Sequence, residues 1–141
     1  MLSKLDQAIS VATKAHFGQV DKSGQPYILH PLRLMFRFEA EVEMIVAVMH
    51  DVIEDSDFTY EDLKNIGFSN DVMEALDCLT KRENEDYERF ILRASKNSLA
   101  RKIKIEDIKD NLDLTRLNDI TEKDLQRAEK YHRALKALST S

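Results

Sequence analysis

The 141-residue sequence predicts an all-α fold, one domain over residues 1–141 built round a single buried central helix. Three observations carry this expectation. Apolar residues recur at helical spacing along most of the chain. Only three glycines and two prolines are present, too few to punctuate many short strands. No segment alternates apolar and polar residues over a useful length. A chain of this size buries roughly two-thirds of its unfolded surface, so one core suffices without disulfide staples.

The elements follow in order. Leu5, Ile9, Ala12 and His16 repeat at helical spacing, which predicts an amphipathic helix over residues 3–17. Gly18 to Pro26 holds most of the glycine and proline and reads as a loop. A short helix is expected from about Pro31 to Phe38, with proline in its favoured first turn. Glu41 to Ile53 is apolar almost all round, the signature of a central, buried helix. Thr59 is placed to cap a helix through Leu63, and Ser69 another through Leu79. Two more helices are read from Asp86 to Ser95 and from Ser98 to Leu114. Ile120 and Leu125 flank an N-cap at Thr121 as a hydrophobic staple, and the last helix runs from Glu122 to about Leu138.

Composition narrows the function. Net charge is -5 and the pI about 5.4, whereas nucleic-acid binders usually carry a basic balance. No glycine-rich phosphate loop is available, so P-loop and dinucleotide fingerprints are excluded. An acidic protein that handles phosphates needs a metal and a few placed cations. The only cysteine, Cys78, cannot form an internal disulfide. The N-terminus shows no signal-like apolar core, and no apolar stretch approaches the ~20 residues of a membrane span. A cytoplasmic protein with neither a nucleic-acid nor a membrane partner is expected.

The chemistry concentrates in Ala47-Val48-Met49-His50-Asp51-Val52-Ile53-Glu54-Asp55. Burying unpaired carboxylates is costly, so such a cluster usually has a cation to hold. Imidazole with carboxylate suits a divalent Mn, Fe, Zn or Co ion. His50 and Asp51 can reach one metal from a single helix, with Glu54 and Asp55 one turn beyond to handle a water. Two ligands hold a metal poorly. The sequence offers others in His30, at a loop-to-helix junction, and Asp107, on a stripe with Ile103, Asn111 and Leu114. Taken alone, His50 and Asp51 could equally be a satisfied core pair.

Four blocks in order carry a resemblance: Ala15-His16-Phe17-Gly18-Gln19, Lys22 to Pro31, His50-Asp51-Val52-Ile53-Glu54-Asp55 and Lys104-Ile105-Glu106-Asp107. Together they resemble the HD-domain phosphohydrolase superfamily, and more narrowly the hydrolase domain of RelA/SpoT-type alarmone enzymes and their small stand-alone relatives. The resemblance implies an HD-type helical fold and four metal ligands: His30, His50, Asp51 and Asp107. It implies that Glu54 and Asp55 act on the attacking water, that Asn111 touches the nucleoside sugar and that Lys22 lies near the purine. The implied metal is manganese (Mn2+). The implied reaction removes the 3′-pyrophosphate of guanosine tetra- or pentaphosphate. Two alternatives are another nucleotide phosphate, such as a nicotinamide dinucleotide phosphate, or a catalytically silent nucleotide-binding module. The presence of both Glu54 and Asp55 argues against silence.

Three positions depart from the family pattern. Asp21 stands where long alarmone hydrolases commonly have arginine, Asp110 where they often have histidine, and Asp113 at another frequently basic position. These departures point to a weaker guanine preference, because aspartate cannot stack on a base. Lys81 or Arg82 is the expected phosphate contact. His16 is expected to order its loop through a hydrogen bond, His132 to be a surface or packing residue, and Tyr87 and Cys78 to pack. Met35, Met44, Met49 and Met73 read as core filler.

Overall fold

The computed structural model describes residues 2–140. Its helices are α1 Lys4–Ala15, α2 Leu29–Met35, α3 Glu41–Met49, α4 Val52–Asp55, α5 Tyr60–Ile66, α6 Asn70–Cys78, α7 Tyr87–Ser95, α8 Ser98–Asn111 and α9 Glu122–Ser139. A 3-10 turn spans Leu114–Arg116. No strand occurs among the described residues, only an isolated bridge between Val20 and Pro26. The all-α reading therefore holds.

The helix starts are chemically explicit. Ser3, Ser69, Asp86 and Asn97 each accept a first-turn amide on the side chain. Thr59 with Asp62, and Thr121 with Asp124, form reciprocal capping boxes. Ile120 and Leu125, expected to staple α9, are both more than half exposed. The capping box alone fixes that start. Gly67 ends α5 at φ 105°, a conformation that glycine adopts without strain.

Helix α3 is the central element. Ile45 to Met49 are all buried, and α1, α2, α6 and α8 pack round them. A second core joins Phe90, Ile91, Ile108, Ala134 and Leu138 from α7, α8 and α9. Helix α8 serves both cores, with Ala100 and Ile103 in the first and Ile108 in the second. Asp107 lies between Ile103 and Ile108 on α8, where the two cores meet.

Among the boundaries that differ from expectation, three bear on the site. The central helix does not run through to Ile53. It ends at Met49, and Asp51 (φ -105°, ψ 2°) separates it from α4. Helix α2 starts two residues earlier than Pro31, so His30 falls in its first turn, where a following proline leaves no lost hydrogen bond. Helix α8 stops at Asn111 instead of Leu114. Beyond it, Asp113 caps the 3-10 turn, and Arg116 folds back to donate to the carbonyl oxygen of Asp110 at 2.6 Å.

Candidate active site

The break after α3 turns an imidazole and a carboxylate into one buried space. His50 Nδ1 lies 2.7 Å from the Ala47 carbonyl, which can only accept, so Nδ1 carries a proton. Nε2 then faces Asp51 Oδ2 at 3.0 Å and Asp107 Oδ1 at 3.5 Å. It is buried, yet neither carboxylate meets it in hydrogen-bonding geometry. A buried polar atom left in that condition is costly.

His30 enters from α2. Its Nδ1–H donates to Asp110 Oδ2 at 2.6 Å, and its Nε2 lies 2.9 Å from Asp107 Oδ1. The two imidazole rings meet edge-on at 5.1 Å. His30, His50 and Asp107 thus offer ligand atoms all within 4.8 Å of one another. Asp51 joins through its contact with His50 and accepts a hydrogen bond from the Tyr27 hydroxyl. Two nitrogens and carboxylate oxygens around one buried point form a donor set for a divalent cation, and the unpartnered Nε2 of His50 fits that use.

Each of these side chains is held from outside. Lys104, itself nearly buried, donates to Asp107 Oδ2 at 2.8 Å. Asn111 donates to Asp107 Oδ1 at 3.2 Å. Burial would raise Asp107, but the charges of Lys104 and His50 hold it well below the carboxylate range. Burial acts on Asp51 in the same sense, yet His50 brings it down to about 2. Burial pulls His50 down, and the Asp51 and Asp107 charges outweigh it, so the imidazole titrates well above its usual value.

Asp110 is the residue that sequence reasoning misjudged. It does not face the cleft as a lost basic contact. It is fully buried and accepts from His30, Arg33, Arg37 and Arg116. The available signal was its position three residues after Asp107 on one helix, which puts both on adjoining faces. Asp21 and Asp113 also have structural tasks. Asp21 Oδ1 accepts the amides of Ser23 and Gln25, and Asp113 Oδ1 accepts that of Thr115.

The site opens into a cleft of about 340 Å³. Its walls carry Lys22, Arg33, Arg116 and Arg127 among the cations, with Asn111, Tyr27 and Tyr131 beside His30. Two of these cations are loosely held: Lys22 lies 3.9 Å from Asp124, and Arg127 lies 3.3 Å from the same carboxylate. Arg116 and Arg127 were not singled out from the sequence, because nothing local separates them from the other surface arginines.

Four other expected site residues do not line the cleft, though Glu54 and Asp55 lie on the short helix that follows Asp51. Glu54 is exposed and accepts the Lys81 amide at 3.3 Å. Asp55 is exposed as a residue, yet burial of its carboxyl, with the charges of Asp51 and Glu54, pushes it up to about 6. Lys81 and Arg82 do not line the cleft: the Lys81 ammonium reaches the Arg82 carbonyl, and Arg82 pairs with Asp77. His16 bonds Gln19 at 2.8 Å, and Gln19 donates in turn to the Asp55 carbonyl, so it orders its loop as expected. His132 is exposed, and Tyr87 packs in the second core. Cys78 and the four methionines pack in or against the first core.

The chain is similar to several known proteins. No family model matches the chain. A guanosine-3′,5′-bis(diphosphate) 3′-pyrophosphohydrolase of Aquifex aeolicus is 31% identical over 122 residues, 77% of this chain and 17% of its own length. One from Vibrio cholerae is 40% identical over 84 residues, 57% of this chain and 12% of its own. The bifunctional (p)ppGpp synthase/hydrolase SpoT of Escherichia coli K12 is 37% identical over 84 residues, again 57% of this chain and 12% of its own. The chain therefore spans only 12% to 17% of the length of these curated relatives. In fold, it matches a metazoan SpoT ortholog that hydrolyses ppGpp, with a TM-score of 0.82 and 24% identity, over 100% of this chain and 88% of that one. The class defined by fold and site is a helical HD-type domain with a candidate metal centre. The resemblance to the hydrolase domain of RelA/SpoT-type enzymes holds both in sequence and in fold.

Proposed function

We propose that residues 1–141 form one HD-type hydrolase domain that removes the 3′-pyrophosphate of guanosine tetra- or pentaphosphate with the help of a divalent cation, Mn2+. The observation that carries this reading is the convergence of His30, His50 and Asp107, joined by Asp51, at the end of a cleft lined by Lys22, Arg33, Arg116 and Arg127. The likeness to named 3′-pyrophosphohydrolases supports the substrate. No helix among the described residues is long and apolar enough to cross a membrane, and a cytoplasmic site of action is part of the proposal.

His30, His50, Asp51 and Asp107 are the residues that would hold the cation. A divalent ion there supplies charge neutralisation at phosphorus and makes a water more acidic near neutral pH. Glu54 takes the proton from the attacking water, with Asp55 beside it as a second acceptor. The water oxygen bonds to the phosphorus next to the 3′-oxygen, the bond between that phosphorus and the 3′-oxygen breaks, pyrophosphate leaves carrying the water oxygen, and the 3′-oxygen takes up a proton. Lys22, Arg116 and Arg127 meet the phosphates, and Asn111 orients the sugar.

The test is hydrolysis followed by phosphorus NMR, with Mn2+ and with a chelator. Release of pyrophosphate and GDP from guanosine tetraphosphate, abolished by the chelator, is the expected result. A nicotinamide dinucleotide phosphate serves as the second substrate. Equal rates on both would replace the guanosine substrate with a broader phosphohydrolase activity. Nucleotide binding without release of any product would reduce the domain to a binder.

A further inference from the structure

We infer that Asp110 is a positioning residue for the metal centre: it fixes the ring of His30 so that Nε2 points at the cation site. The inference rests on the metal reading above and extends it to a residue that reading does not use. Three observations carry it.

The first is the contact itself. His30 Nδ1 lies 2.6 Å from Asp110 Oδ2, and both side chains are buried. An ionised carboxylate only accepts, so the shared proton resides on Nδ1. That leaves Nε2 to face Asp107 Oδ1 at 2.9 Å, on the side where the cation would sit. A carboxylate behind a ligating imidazole fixes both its orientation and its basicity.

The second is how firmly Asp110 is held. Arg33 donates through Nε and Nη2, Arg37 through Nη2 and Arg116 through Nη2, at 2.9–3.3 Å. Three guanidinium groups and the His30 ring thus hold the buried Asp110 carboxylate in one orientation.

The third is the parallel with the neighbouring ligands. Asp107 is gripped by Lys104, Asp51 by Tyr27, and His50 by the Ala47 carbonyl. Asp110 completes this outer ring at the one residue contributed by α2. It also ties Arg33 and Arg116, which line the cleft, to the same anchor.

The test compares wild type with Asp110→Asn. Mn2+ affinity is measured by calorimetry on the metal-free proteins, and the His30 Nδ1–H resonance by nitrogen-edited NMR on the zinc-loaded proteins. A bare amide in place of the carboxylate is expected to weaken Mn2+ binding by about tenfold to a hundredfold. In wild type, His30 is expected to show a slowly exchanging Nδ1–H proton that shifts upfield in the variant. A purely structural role would lower the melting temperature yet leave affinity and resonance unchanged. Should Asp110→Asn fail to fold, the wild-type spectrum still decides: ligation through Nδ1, or the absence of that proton, overturns the inference. Equal Mn2+ affinity in folded wild type and variant also overturns it. Wild type that takes up no Mn2+ overturns the metal reading and this inference together.

Discussion

Replacing Lys104 with methionine separates the charge balance of the site from its packing. The Lys104 ammonium lies 2.8 Å from Asp107, with side chains 12% and 7% exposed. Methionine keeps the apolar stem and removes the charge. Unit charges at that distance attract by about 6 kcal/mol at an effective dielectric of 20. Part of this is offset because a lysine no longer has to be desolvated, and breaking a buried pair typically costs ~3–5 kcal/mol. Asn111 and His30 still contact Asp107, so the low end applies, about 3 kcal/mol in the metal-free protein. For a domain of this size that is a fall of about 6–12 °C in melting temperature. A divalent cation compensates the same carboxylate, so saturating Mn2+ is expected to restore at least half of the loss. Scanning calorimetry on both proteins, with Mn2+ and with chelator, reads all four states. An unchanged melting temperature without metal, or an equal loss with and without Mn2+, would refute the charge argument.

Four further outcomes are expected. Asp51→Ala abolishes Mn2+ uptake, measured as bound metal by mass spectrometry, and lowers metal-free stability, because His50 and Tyr27 lose the carboxylate they face. Asp107→Ala also abolishes uptake and destabilises the protein by stranding Lys104; full metal occupancy in either variant contradicts the ligand assignment. Glu54→Gln keeps its metal and loses about 10²–10⁴ in kcat. A rate within a few-fold of wild type would move the base role to Asp55, whose own Asn variant then carries the defect. The pH dependence has a fixed sign. His50 is raised in the metal-free fold, so its stabilisation is complete below the ordinary histidine value of about 6.5 and is lost as pH rises through the folded value. The same proton competes with Mn2+, so metal affinity increases with pH across that window; calorimetry showing affinity flat or falling there would contradict the assignment of His50.

Much of this molecule was legible in the sequence. Helical periodicity placed nearly every helix, and the largely apolar stretch from Glu41 to Ile53 identified the buried one. His50 and Asp51 stood out because polar groups rarely interrupt such a run. The break between α3 and α4 was not legible. It follows from aiming His50 Nδ1 at the Ala47 carbonyl and Asp51 at Tyr27, contacts that no local preference encodes. Asp110 was hidden for a similar reason. Its partners His30, Arg33 and Arg37 lie more than seventy residues away in the chain, so a change from histidine looked like a lost substrate contact. Asp21 and Asp113 shape their turns and also line the cleft, and a sequence does not separate those two tasks. Arg127 comes to the cleft only because α9 packs along α8.

The central claim is that one cation is shared by four side chains at the end of α3. Anomalous scattering from crystals soaked in Mn2+, collected on both sides of the manganese edge, tests it most directly. The expected result is a single peak within ~2.0–2.4 Å of Nε2 of His30, Nε2 of His50 and carboxylate oxygens of Asp51 and Asp107. A peak elsewhere on the protein, or none at full soak, with His50 Nε2 still lacking a partner, would contradict it.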